Sequence, residues 1–399
     1  MKKILAILVC AISLPLIYAQ PTPPKPYKLA DYNFVVGTQM IGGHYKFTKD
    51  SYLIEQAKQI RGMGSNILKI SLGKNYSKTY PDLKDDPRLN STVDLIKSQK
   101  DYQEVLNMDF KYIFMWVHTL TGVQWQKPMT PQDKLTIFRE MYDLTEYLLT
   151  TYSGSGKTFL IGNWEGDWLL HGEGNRNKDP GDEKIQAMTD WFKIRQAAID
   201  EAKKKVAHEN VEVLYYVEVN LVKKGLAGQR CITESILSEV NPDLVSYSSY
   251  EAIKNHPNYD SLKATVSRLM DYMESKLQPK ANIPFERRVY LGEYGYQVSK
   301  QNSEENQSLQ TKDIMLLSFE LNLPFALHWE LYNNEYTDKG VSKGMSLISE
   351  EGEFKPVYYL HKDFYKRMND YLMDHKSTQN TYPTSEAFRL KAIETLRSL

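Results

Sequence analysis

The order of apolar and polar runs predicts an α/β fold, a (β/α)8 TIM barrel of eight parallel strands ringed by helices. Two observations carry this expectation. Eight short runs rich in β-branched and aromatic residues recur along the chain, and helix-period stretches separate them. The spacing adds a third, since strand starts fall roughly 32 to 53 residues apart, room for one crossover helix each time.

The expected strands are Asn33–Thr38, Asn66–Ser71, Lys111–Val117, Thr158–Gly162, Val211–Val217, Asp243–Ser248, Val289–Gly292 and Phe325–Trp329. Each is bounded by polar or turn residues. The expected helices are Asp50–Arg61, Pro131–Thr150, Lys184–Val206, Ser261–Lys276, Leu309–Leu321 and Pro356–Tyr371. In the first of these, Leu53, Ile54, Ala57 and Ile60 share one face. An open doubly wound sheet has the same alternation, but its glycine-rich first turn is poorly matched by Thr38-Gln39-Met40-Ile41-Gly42-Gly43. Gly154-Ser155-Gly156-Lys157-Thr158 looks like the end of a phosphate loop. However, Thr151 stands where the pattern needs a glycine, and the strand follows the turn instead of preceding it.

The N-terminus reads as an export signal over residues 1–19. Lys2 and Lys3 precede the apolar run Ile4–Ile17, and Ala19 offers a small residue for cleavage. Residues 20–30, with PTPPKP at 21–26, read as a stiff proline-rich tether. Residues 31–399 then form a single catalytic domain, expected to be secreted or periplasmic and to have no membrane span in the mature chain. Processing removes Cys10 and leaves Cys231 alone, so no intramolecular disulfide forms. The balance of 50 basic and 50 acidic residues gives no polyanion-binding surface, so nucleic acid is not an expected partner.

Barrel enzymes carry their chemistry just past the carboxyl ends of the strands. Those positions hold Trp116 and His118 after strand three, and Asn163, Trp164, Glu165, Asp167 and Trp168 after strand four. Glu218 and Asn220 follow strand five, Tyr247, Ser248, Tyr250 and Glu251 strand six, Glu293 strand seven, and Trp329 and Glu330 strand eight. Five of the six tryptophans (Trp125 included) fall at these ends or in the loops beyond, where flat faces suit the C–H faces of sugar rings. Glu165 and Glu293 follow strands on opposite sides of an eight-stranded barrel. Hydrolysis of an acetal needs two such facing carboxyls, one to protonate the leaving oxygen and one to meet the oxocarbenium-like centre.

In these residues the chain resembles the retaining glycoside hydrolases of clan A. Leu291-Gly292-Glu293-Tyr294-Gly295 is similar to that clan's strand-seven motif, Trp329 to the tryptophan that floors its sugar site, and Ser248-x-Tyr250 to its strand-six motif. The resemblance implies Glu165 as acid/base and Glu293 as nucleophile, with Tyr250 hydrogen-bonded to the nucleophile. It also implies sugar contacts from Asn163, Tyr250 and Trp329. The strand-end tryptophans Trp116, Trp164 and Trp168 are expected to bind carbohydrate beside them, and His118 either touches substrate or is a satisfied core histidine; no cofactor and no metal are expected. Two departures stand out. Trp164 separates Asn163 from Glu165, where the clan has asparagine and glutamate adjacent, and Ser248 replaces the usual histidine. They leave open a non-catalytic carbohydrate-binding barrel. A metal-dependent hydrolase built on His118, His171 and Glu173, with Asp167 and Asp179, is a further alternative, although no ligand spacing matches a known site. Glu293 is expected to be held ionised by Tyr250 or Tyr247 and by a cation near Lys74. The polar stretch Gly166–Glu183 is expected to be a loop walling the cleft.

Overall fold

The structure, a computed structural model, describes residues 32–121, 125, 127–172 and 175–399. The expected export signal and tether lie outside the described residues. Among those described, eight parallel strands close a barrel in sequence order, as the alternation predicts. No helix among them is long and apolar enough to cross a membrane.

The first unit runs β1 (Val36–Gln39), α1 (Tyr52–Met63) and β2 (Ile67–Gly73). Three short helices, α2 (Tyr76–Thr79), α3 (Thr92–Ser98) and α4 (Lys100–Asn107), lead to β3 (Tyr112–His118). Next come α5 (Pro131–Thr151), β4 (Thr158–Gly162), α6 (Gly166–His171), α7 (Asp182–Lys205) and β5 (Glu212–Val219). Helices α8 (Val222–Leu226), α9 (Ile232–Ser235) and α10 (Leu237–Val240) precede β6 (Leu244–Ser248). Then α11 (Tyr250–Ile253) and α12 (Tyr259–Glu274) reach β7 (Val289–Tyr294), and α13 (Glu304–Glu320) reaches β8 (Ala326–His328). The chain ends in α14 (Pro356–Gln379) and α15 (Ser385–Ser398).

Local chemistry explains the boundaries. Helix α5 starts on a capping box, Thr130 and Asp133 each satisfying the other's backbone N–H, with Pro131 in the first turn. Ser51 caps α1, and Gly64 ends it in the left-handed conformation that glycine adopts without strain. The stretch Gly166–Glu183 departs from the expected loop. Its first six residues form α6, because the buried Asp167 carboxylate accepts from the backbone N–H groups of Asn220, Leu221 and Ile232 at 2.8–3.0 Å and pins that turn to the end of β5.

Strand alternation divides the core. Leu68, Ile70, Ile113, Met115, Ile161 and Val217 face the helices, while Ile67, Tyr112, Phe114, Leu160, Leu214, Tyr216, Tyr290 and Phe325 fill the barrel. Aromatic rings dominate that interior, with Phe114 4.9 Å from Phe325 and 5.5 Å from Tyr290 between centroids. The Tyr216 ring has room because β4 ends in glycine, and a Cβ on Gly162 would come within 2.2 Å of it. Gly162→Ala is therefore expected to destabilise the barrel by about 1–3 kcal/mol through overpacking. Adding Tyr216→Leu should recover part of the loss in urea denaturation. An unchanged midpoint in the single variant would show that the ring is not confined there.

Candidate active site

The polar layer above these rings begins with a lysine inside the barrel. On β2, Lys69 shares the inward phase of Ile67, and it is fully buried. Its ammonium donates to Glu218 Oε2 of β5 at 2.7 Å and to the Gly292 carbonyl at 3.3 Å, and stands 4.4 Å from the Trp116 ring centroid. Glu218 Oε2 also accepts from the Ser246 hydroxyl at 2.9 Å and the Trp116 indole N–H at 3.3 Å, while Oε1 accepts from the Glu165 backbone N–H at 3.0 Å. One carboxylate thus collects donors from β2, β3, β6 and the segment after β4. Breaking such a buried pair by removing one partner costs far more than an exposed pair.

Glu293 reaches this layer by a break in alternation. Tyr290 and Gly292 face inward, so strict period-two pleating would turn Glu293 toward the helices. The register shifts instead: Tyr247 pairs with Leu291 but Ser248 pairs with Glu293, and a second irregularity lies between Leu291 and Tyr294 on the β8 side. A bulge of this kind re-aims a side chain. The Glu293 carboxyl then meets the Tyr250 hydroxyl at 3.3 Å and the Lys69 ammonium at 3.8 Å. Glycine is needed beside it, since a Cβ on Gly292 would lie 1.6 Å from Ser246 Oγ. The expected cation near Lys74 is therefore Lys69, and of the two tyrosines Tyr250 makes the contact. Tyr247 donates to Glu251 at 3.1 Å.

Glu165 lies beyond the end of β4, where α6 begins, and its carboxyl is not used as a helix cap. Burial, then the charge of Glu218, pushes it up to about 8, while Lys69 and the neighbouring Ser248 hydroxyl oppose the rise. Burial also pushes Glu293 well above the usual carboxylate range, with Glu218 and Glu165 adding to it. One ammonium cannot neutralise three neighbouring carboxyls, so this group retains protons to higher pH than isolated glutamates. Glu330 joins it from just beyond the end of β8. Burial raises it strongly, and Glu335 and Glu293 add to the rise, against a backbone N–H donated by Asn334.

The tryptophans divide. Trp116 and Trp329 lie together over the barrel mouth, 5.9 Å apart between centroids, and Trp168 lines a cleft of about 300 Å3 with Glu165, Ser248 and Tyr250. Trp164 is exposed. Trp125 is not at the cleft but packs on Trp191 of α7, 6.1 Å away. Asn163 is fully buried, its amide donating to the Glu218 carbonyl and accepting from the Glu218 N–H, so both ends hold β5 and not the open cleft. His118 is half-buried at the end of β3, and burial, then Arg195, pushes it down to about 4, a neutral imidazole. His328 packs at the core between Tyr294 and His361.

No group of three metal-ligating side chains occurs among the described residues. Asp167 is committed to backbone N–H groups, His171 contacts the Lys178 carbonyl, Asp179 binds Gly181 and Arg230, and Glu173 lies outside the described residues. Two residues that sequence reasoning missed, Lys69 and Arg195, organise the site. Arg195 of α7 is fully buried and donates to the carbonyls of Val117 and Gly162 at 3.0 and 3.1 Å, tying the ends of β3 and β4 together. The only sequence signal for Lys69 was a cation in inward phase within an apolar strand.

The fold recurs in solved glycoside hydrolases. A GH5_18 protein from Bifidobacterium longum subsp. longum is 14% identical, with a TM-score of 0.53, covering 88% of this chain and 81% of that one. One from Bifidobacterium longum subsp. infantis is 13% identical, with a TM-score of 0.53 and coverage of 83% and 78%. A GH5_18 variant from Streptomyces cattleya, in complex with Manβ1-4GlcNAc, is 10% identical, with a TM-score of 0.53 and coverage of 83% and 80%. At such identities the likeness shows the shared barrel. No family profile and no curated protein matches the chain.

Two tests follow from the electrostatics. Lys69→Met leaves Glu218 buried without its counter-charge and is expected to cost about 3–5 kcal/mol in chemical denaturation. Adding Glu218→Gln should restore part of it, and a loss below about 1 kcal/mol in the single variant would show the pair to be dispensable. For Glu165, the folded carboxyl keeps its proton up to about 8 while the unfolded one releases it near its ordinary 4.5, so stability is lost as pH rises through that window. Glu165→Gln should match the parent's melting temperature near pH 4 and exceed it increasingly from pH 5 to 8. A constant difference across that range would refute the raised carboxyl.

Proposed function

We propose that this protein is a retaining glycoside hydrolase with Glu165 as acid/base and Glu293 as nucleophile. The observation that carries the reading is the unequal treatment of two carboxyls at one barrel mouth. Glu293 has an ammonium at 3.8 Å and a tyrosine hydroxyl at 3.3 Å, both favouring its anion. Neither group donates a hydrogen bond to Glu165, whose carboxyl is held in its protonated form to about pH 8. Burial works against the Glu293 anion, and Lys69, the only cation within ion-pair distance of it among the described residues, supports that anion.

In the first step Glu165 gives its proton to the glycosidic oxygen as that C–O bond breaks, and a Glu293 oxygen bonds to the anomeric carbon. The leaving alcohol departs and a covalent glycosyl-enzyme remains. In the second step Glu165, now ionised, takes a proton from water. The water oxygen bonds to the anomeric carbon, the Glu293 ester bond breaks, and the carboxylate is restored. Trp329, whose indole N–H is buried with no partner among the described residues, and Trp116 offer faces and a donor to the sugar ring. Tyr250 orients Glu293, and Trp168 serves the leaving-group side. Trp164 and His118 are secondary contacts, and Asn163 acts through the backbone of β5. The β-linked disaccharide bound by the Streptomyces cattleya neighbour supports a β-linked substrate here, and the export signal read in residues 1–19 supports action outside the cytoplasm.

Glu165→Ala is expected to lose about 10²–10⁴-fold on substrates with poor leaving groups and much less on activated aryl glycosides. Glu293→Ala should lose activity on both. Azide should restore product from each, with retained configuration from Glu165→Ala and inverted configuration from Glu293→Ala. The same configuration from both would reverse or void the roles. Folded variants and parent alike inactive on every glycoside would favour a carbohydrate-binding barrel without catalysis.

A further inference from the structure

The cleft beside Glu165 has cations at its lip that the two-carboxyl chemistry does not use. Arg176 comes from the segment after α6, Lys254 directly follows α11, and Lys343 lies in the segment after β8. Lys343 is neutralised by Glu335 at 3.2 Å. Arg176 and Lys254 form no ion pair with the described residues. Instead they stand over rings of the same cleft, the Arg176 guanidinium 5.6 Å from Trp168 and the Lys254 ammonium 5.9 Å from Tyr250. The contrast within one segment is informative, because Asp179 and Asp182 lie close to Arg176 in sequence yet both pair with Arg230. The Lys224 ammonium, which donates to the Arg176 carbonyl, adds a further positive charge.

The carboxyls of the cleft do not offset these cations. Glu335 is spent on Lys343, and Glu165 retains its proton to about pH 8. Glu251 is held instead by the Lys223 N–H at 2.8 Å and the Tyr247 hydroxyl at 3.1 Å. Two unpaired positive charges therefore flank a space of about 300 Å3, at the lower end of the range for ligand pockets and suited to one sugar ring.

We infer that this cleft takes a leaving-group sugar bearing an anion, a uronate carboxylate or a sulfate ester, held between Arg176 and Lys254. The assignment to the leaving-group side rests on Glu165 being the acid. A neutral sugar could stack on Trp168 but would leave both cations unused. Two exposed pairings of this kind are expected to amount to roughly tenfold in affinity.

The test measures binding of methyl β-D-glucuronide, glucose 6-sulfate and methyl β-D-glucoside to the full chain carrying Glu165→Gln, by titration at low and high salt. Both anionic sugars, or whichever of the two the site selects, should bind about tenfold more tightly than the glucoside. High salt should narrow that margin, and Arg176→Ala with Lys254→Ala should abolish it while leaving the glucoside unaffected. Equal affinities, a margin that survives the double substitution, or no binding of either anionic sugar would overturn the inference. Failure of the hydrolase reading shows separately, as no turnover of activated aryl glycosides, whose aglycones carry no carboxylate or sulfate for either cation to hold.

Discussion

An ammonium and a carboxylate that meet inside the barrel set the geometry of everything above them. Lys69 and Glu218 are 149 residues apart in sequence and 2.7 Å apart in space, with no exposure to water. Neither charge is tolerable alone there, so each fixes the other, and strands β2 and β5 must hold the register that lets them touch. The remaining lone pairs of Glu218 recruit Ser246, Trp116 and the Glu165 backbone. The segment after β4, the tryptophan at the mouth and the position of Lys69 under Glu293 follow from that one anchor. Such a pair contributes less to net stability than to specifying a single arrangement of the groups at the mouth.

Glycines and a bulge provide the clearances. Gly162 leaves room for Tyr216 below the polar layer, and Gly292 lets Ser246 reach Glu218. Beside Gly292 the register shift turns Glu293 from the helix side to the mouth. The three devices act at different heights of the barrel, so the aromatic floor, the ion pair and the carboxyl layer stack one above another.

Much of this was legible in the chain. Strand β4 falls on Thr158–Gly162 as read, because turn residues bound an apolar run on one side and the Asn163 polar segment on the other. Eight strand runs with room for one crossover helix between each pair made the barrel the natural reading. Glu165, Glu293 and Tyr250 stood out because strand-end carboxyls among aromatics are a local signal. The partners of those residues were not local. Lys69, Glu218 and Arg195 act through contacts between distant strands and helices, and no run of sequence announces which cation will be buried. The bulge at Gly292 also defeats parity, since period-two reading sends Glu293 to the wrong face. Helix α6 was missed for a related reason: its polar stretch is held helical by the buried Asp167, a tertiary contact with β5 and α9. Asn163 was read for its type, whereas its amide serves the β4–β5 junction.

Two carboxyls with raised proton affinity share a mouth with one ammonium, and the proposed roles differ in which of them would become bonded to sugar. Mass spectrometry of the protein after reaction with 2-deoxy-2-fluoro-β-glycosyl fluorides tests this most directly. Fluoride leaves without protonation, and the 2-fluoro group slows the second step more than the first is slowed, so a covalent intermediate accumulates. The expected result is a single glycosyl adduct on the peptide containing Glu293, formed also in the Glu165→Gln variant. An adduct on Glu165 or Glu218, or turnover to inverted product with no adduct, would contradict the assignment.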